Sequence, residues 1–132
     1  METITLDRTG LPPIRFVGAL LATASGQFVG TLPDKPNNDW FEVSIHRYEG
    51  EGFIVAVTYR RTFKGVTEEE RIAERTGNPA QWLTQFNEEG EPLDMIIGER
   101  ANPRDQAKLE DKLQRQFEAL VSAVLKEFPE DL

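Results

Sequence analysis

The side chains best placed to do chemistry lie in one short stretch. Glu42, Ser44, His46 and Tyr48 recur at every second position after Trp40. In an extended strand that spacing puts all five on one face. His46 is the single histidine of the chain. An imidazole beside a carboxylate, a hydroxyl and a phenol can move a proton near neutral pH. Same-face residues two apart are about 7 Å apart along a strand. Glu42, Ser44 and His46 are therefore expected to be too widely spaced to bond as a catalytic triad without unusual rotamers. The plainer alternative, which weighs more, is the solvated outer face of an antiparallel sheet.

Such a face needs a second strand beside it. Phe41, Val43 and Ile45 alternate with the polar set, and Phe53, Val55, Val57 and Tyr59 alternate in the stretch that follows Gly50 and Gly52. Pairing Ile45 with Val55, Val43 with Val57 and Phe41 with Tyr59 puts both apolar stripes on one side. A slip of one residue would set them on opposite faces. The odd-length connection this requires is common where a glycine supports a bulge. In this register Thr58 stands opposite Glu42 and Arg60 opposite Trp40. The candidate ligand-binding set is thus Trp40, Glu42, Ser44, His46, Tyr48, Thr58 and Arg60.

Residues 67–76 admit two readings. Thr67-Glu68-Glu69-Glu70 resembles a helix capping box, with Gly77 as a C-cap. Folding the chain about Lys64-Gly65 instead sets Arg61 against Glu68, Arg60 against Glu69 and Val57 against Ile72. Opposite charges and like apolar groups then face each other throughout, and the hairpin is preferred. On this reading Arg60 and Arg61 are engaged by carboxylates. Otherwise they would form, with Lys64 and Arg47, a phosphate-binding patch.

The remaining elements follow from local signals. Residues 14–24 read as a strand apolar on both faces, which suits a strand covered on both sides. Residues 28–32 read as a short return strand weakened by Gly30, after which Leu32–Asp39 is a Pro- and Asn-rich loop. Asn78-Pro79 and Asn102-Pro103 each pair an N-cap with a first-turn proline. They open a short helix over 79–86, carrying Trp82, Leu83 and Phe86 inward, and a long helix running to about Phe128. Residues 93–97 are a short strand or an ordered loop. Along the long helix Leu109, Leu113, Phe117, Leu120, Val121, Val124, Leu125 and Phe128 form one apolar arc. Strands first and helices last is an α+β pattern. The expected architecture is one domain over 1–132, an antiparallel β-meander of about five strands packed against the long C-terminal helix and the short one. A helix of about 39 Å lying across such a sheet would overhang it. Leu109 and Leu113 are on that account the expected protein interface, most simply in a homodimer.

Composition limits the function classes. With no cysteine and one histidine, disulfides, thiolate nucleophiles and multi-histidine metal sites are excluded within one chain. No phosphate-binding glycine loop, EF-hand loop or nucleophile elbow occurs, and no cofactor is expected. The net charge is −8, which argues against general nucleic-acid binding. Residues 67–100 hold nine acidic against three basic side chains. That stretch suits either solubility or contact with a basic partner. No apolar stretch is long enough for a membrane span, and Met1-Glu2-Thr3 lacks the basic flank of a secretory signal, so the expected location is cytoplasmic. The favoured expectation is a non-enzymatic acidic accessory or inhibitor protein that binds another protein. The alternative is a small-molecule-binding protein or enzyme using the polar sheet face. A pocket lined by Glu42, His46 and Arg60 would favour the alternative, and a flat, wet face would oppose it.

Overall fold

Period-two alternation sets the first half of the chain into strands, and capped amphipathic segments set the second half into helices. A computed structural model describes residues 1–27, 38–97 and 102–128. In chain order the elements are β1 (Glu2–Arg8), β2 (Leu11–Ser25), β3 (Asp39–Tyr48), β4 (Phe53–Phe63), β5 (Val66–Thr76), α1 (Pro79–Glu88), α2 (Glu91–Asp94) and α3 (Pro103–Glu127). The strands form one sheet in the order β1-β2-β3-β4-β5. Every neighbouring pair is antiparallel. The α+β meander under a long C-terminal helix is the expected fold.

Both argued registers are present. Ile45 pairs with Val55, Val43 with Val57 and Phe41 with Tyr59. Arg60 pairs with Glu69, Val57 with Ile72 and Phe63 with Val66. Residues 67–76 are thus strand rather than helix. Lys64 and Gly65, with φ of 52° and 79°, make the two-residue left-handed turn that matches strand twist. The expected strand over 28–32 lies outside the described residues. The fifth strand is instead β1, whose Thr3-Ile4-Thr5-Leu6 alternation was not assigned. Residues 91–94 are a short helix, which takes in Leu93 and Asp94 of the segment expected as strand or loop, whereas 95–97 are turn and loop.

One face of the sheet carries the main core. Phe41, Val43, Ile45, Val55, Val57 and Tyr59 are buried there against Leu83 and Phe86 of α1 and Leu113, Phe117, Leu120 and Val124 of α3. Phe41 meets Phe117 edge-on at 5.4 Å, and Phe128 meets Phe53 at 5.2 Å. Asn78 and Asn102 cap α1 and α3 through their side-chain oxygens. The length of α3 does not uncover its first apolar residues. Leu113 is fully buried and Leu109 packs against the same core. Leu113 is therefore inaccessible as part of the expected interface, whereas Leu109 keeps a partly exposed surface.

Helix α3 is also tied to the sheet by a buried amide. Gln116 accepts from the Phe41 N–H at 2.8 Å and donates to the Gly26 carbonyl at 3.2 Å. A side chain at position 26 would collide with it, since a Cβ there would stand 2.1 Å from Gln116 Oε1.

The other face curls. Ile4, Leu6, Ile14, Phe16, Tyr48, Ile54, Ala56 and Ala73 cluster on it. Beyond β1 the Thr9 N–H donates to the Arg71 carbonyl at 3.0 Å, and the Arg71 N–H donates to Thr9 Oγ1 at 2.8 Å. The first and last strands of the meander thus meet at one point. Strand β2 follows the curvature through a bulge. Leu20 pairs with His46 but Ala22 with Ile45, leaving Leu21 as the extra residue. Bulges bend a strand and increase its twist. This one also exchanges faces, so that Leu20 and Thr23 both look into the curl.

Candidate functional site

Rows of paired residues build the concave face. Thr23, Ser44, Ala56 and Ala73 stand in one row across β2 to β5. Leu20, His46 and Ile54 form the row on one side, and Ser25, Glu42, Thr58 and Arg71 the row on the other. The central row holds only small side chains, so the curl cannot fill its own middle. A cavity of about 250 Å³ results, reached by Leu6 and Asp7 from β1 and its border, Leu20 and Thr23 from β2, Glu42, Ser44 and His46 from β3, Ala56, Thr58 and Arg60 from β4, and Arg71 from β5. Leu20 is 53% exposed, so this wall remains in contact with solvent.

Five of the seven expected ligand-binding residues line this cavity: Glu42, Ser44, His46, Thr58 and Arg60. Two do not. Trp40 is buried and donates its indole N–H to Glu42 Oε1 at 3.4 Å. Tyr48 packs edge-on against Phe16 at 6.3 Å and lies under the Arg75 guanidinium at 4.8 Å. Both support the wall without lining it. Leu6, Asp7, Leu20, Thr23, Ala56, Arg71 and Ile72 also line it and were missed. Leu6 and Asp7 were missed because the alternation of β1 was not assigned to a strand, whereas Arg71 stands opposite Thr58 in the argued hairpin register and was legible from it. For Thr23 the cause is the bulge, which reverses the inside–outside pattern halfway along β2.

Charges at the rim are joined to one another. Arg60 pairs with Glu42 and, at 2.8 Å, with Glu69, which pairs in turn with Arg71 at 2.7 Å. Burial opposes the Arg60 charge, but the hydrogen bonds to Glu69 and Glu42 outweigh it and raise its pKa. The bond from Arg60, aided by Arg71 and opposed by partial burial, holds the Glu69 carboxyl below the usual range. The expected Arg60–Glu69 pairing is thus present. Arg61 differs. Although its Cα partner is Glu68, its guanidinium bonds the Ile97 carbonyl at 3.3 Å and lies over the Phe63 ring. Lys64 also stands over that ring, at 5.3 Å.

His46 and Ser44 meet after all. Ser44 Oγ lies 3.2 Å from His46 Nε2, where strand spacing alone implied separation. The imidazole reaches along the strand, with Phe16 edge-on to it at 5.7 Å. His46 is 7% exposed. Its Nδ1 is buried without a partner among the described residues. Desolvation lowers its pKa, so the ring stays neutral at pH 7. No carboxylate bonds the ring, and a complete triad is absent among the described residues.

A second depression lies on the outer side, between β5, α1 and α2. Ile72, Glu74, Trp82, Gln85, Phe86, Glu89 and Glu91 line about 350 Å³ there. Trp82 stacks on Phe86 at 4.9 Å and donates its indole N–H to Glu74 at 2.9 Å. Among the described residues no group of His, Asp and Glu could hold a metal ion. No described helix is long and apolar enough to cross a membrane. Comparison of the chain with protein-family models, with curated proteins and with solved structures yields no match in any of the three.

Proposed function

We propose that this chain is a small-molecule-binding protein whose ligand sits in the concave face of the curled sheet. One observation carries this reading. Residues from all five strands converge on one cavity of about 250 Å³, which joins apolar wall to hydroxyls, an imidazole and the mutually paired charges of Glu42, Arg60 and Arg71 with Glu69. Pockets that bind small molecules combine mostly apolar lining with a few placed polar groups. The volume equals that of about eight liquid waters at roughly 30 Å³ each, so the ligand is small. Filling the cavity is the direct test. Ala56→Leu should leave the fold's amide spectrum intact and remove ligand-induced shifts at Ser44, His46 and Thr58 in an NMR fragment screen. Fragments that perturb only residues outside the curl would overturn the reading.

The depression beside α1 supports a second reading, an acidic accessory protein that binds a basic partner. Glu74, Glu89 and Glu91 surround Trp82 there, and aromatic residues are enriched in interface cores. A lysine-rich peptide should shift the Trp82 indole resonance at low salt and lose its effect as screening grows. Unchanged indole shifts at low salt would remove this reading.

A further inference from the structure

We infer that the cavity recognises an uncharged small molecule through a hydrogen-bond acceptor, such as a ketone or amide carbonyl, which receives the Ser44 hydroxyl proton. This rests on the small-molecule reading above and names the ligand class.

The inference follows from where the His46 proton must be. A neutral imidazole carries one N–H and one bare lone pair. Nδ1 is buried and has no partner among the described residues, whereas Nε2 lies 3.2 Å from Ser44 Oγ. Orphaned buried N–H groups are rare, and under-satisfied acceptors are less so. The tautomer that avoids a stranded donor puts the proton on Nε2 and the lone pair on Nδ1. Nε2–H then donates to Ser44 Oγ. That orientation rules His46 out as the base for Ser44, because the nitrogen facing the hydroxyl already holds a proton. It also leaves the Ser44 hydrogen without an acceptor among the described residues. A donor polarised by the N–H behind it faces a cavity, and the complementary ligand atom is an acceptor. His46 is a positioning residue in this arrangement, and Ser44 makes the contact.

Charge selects against ions. Glu42 and Arg60 are paired with each other, and Arg71 is paired with Glu69. The remaining lining charge, Asp7, is exposed to solvent, so an ionic ligand seated beside Ser44 would lose its hydration without finding a free counter-charge on the paired side chains. Leu6, Leu20 and Ala56 supply an apolar wall for a hydrocarbon body.

A shape-matched panel tests this with the full chain. Cyclopentanone, methylenecyclopentane, cyclopentylamine and cyclopentanecarboxylate are each titrated into ¹⁵N-labelled protein. The ketone should shift the Ser44, Ala56 and Thr58 amides and bind about 2- to 12-fold more tightly than the hydrocarbon, the range one net hydrogen bond supplies. The two ions should not bind. Ser44→Ala should abolish the preference for the ketone, and Ser44→Thr, which keeps the hydroxyl, should retain it. The ¹⁵N shifts of the His46 ring should place the proton on Nε2. Equal binding of ketone and hydrocarbon, a preference that survives Ser44→Ala, or a proton on Nδ1 would overturn the inference and leave the cavity reading standing. No shift at these amides with any of the four compounds would overturn both.

Discussion

At the scale of single residues, His46 makes the chain sensitive to acid in a definite window. Burial holds its folded pKa below the ordinary 6.5. As pH falls through about 6.5, the unfolded chain takes up a proton that the folded chain refuses, so stability declines until the folded pKa is reached. Glu69 acts at lower pH. Its lowered pKa contributes stability above the ordinary value of 4.5, and that contribution is lost as pH falls through the folded pKa. Urea melts between pH 7.5 and 5.5 should show the wild type weakening, while His46→Gln stays nearly level. Parallel slopes would mean that His46 is hydrated in the folded state. Spacing alone identified His46, Ser44 and Glu42 as neighbours on one face. It could not give the 3.2 Å contact, because a strand repeat fixes Cβ positions and leaves the rotamer to the packing of Phe16.

At the scale of elements, the β4–β5 hairpin separates geometry from energetics. Arg60–Glu69 and Arg61–Glu68 are equivalent in register, but only the first closes into an ion pair. A double-mutant cycle should give about 0.2–1 kcal/mol of coupling for Arg60–Glu69 and a value near zero for Arg61–Glu68. Similar couplings for the two would show that Arg61 leaves Ile97 in solution. Cross-strand complementarity in the sequence was sufficient to choose strand over helix for Val66–Thr76, because it matched charges and apolar groups over the whole segment. It was insufficient to say which pair forms, since Arg61 has a carbonyl from a distant segment within reach. The attachment of α3 makes a second test. Gln116→Leu should cost about 1–3 kcal/mol, because it removes the acceptor of the buried Phe41 N–H. A neutral substitution would mean that water replaces the amide. Gln116 was visible in the sequence as a polar residue inside the Leu113–Phe117–Leu120 arc. Its partners were not, since they are 75 and 90 residues away.

At the scale of the whole molecule, the two faces of the sheet have separate tasks. The helix-covered face holds the main core, and Phe117→Ala should destabilise by about 3–5 kcal/mol in denaturant melts. A loss below about 1 kcal/mol would contradict the full burial of that ring. The same core decides what Leu109 does. Packed within its own chain, it should respond to Leu109→Glu with a lower Tm and an unchanged mass by sedimentation equilibrium. A dimer that dissociates on this substitution would instead restore the interface expected from helix length. Helix length did not foretell that Leu113 is buried in the core while Leu109 packs only partly against it. Curvature was illegible in the sequence, for it depends on the Leu21 bulge and on a contact between Thr9 and Arg71.

That contact has a kinetic consequence. Each strand of the meander pairs with its neighbour in the chain, so most of the sheet can assemble by closing short loops, the arrangement that favours rapid folding. The Thr9–Arg71 junction spans 62 residues and adds little pairing of its own. It is expected to close late, after the rate-limiting barrier. Interactions made after the barrier alter the unfolding rate and leave the folding rate nearly untouched. A molecule held between β1 and β5 would therefore lengthen the lifetime of the native state without hastening its formation.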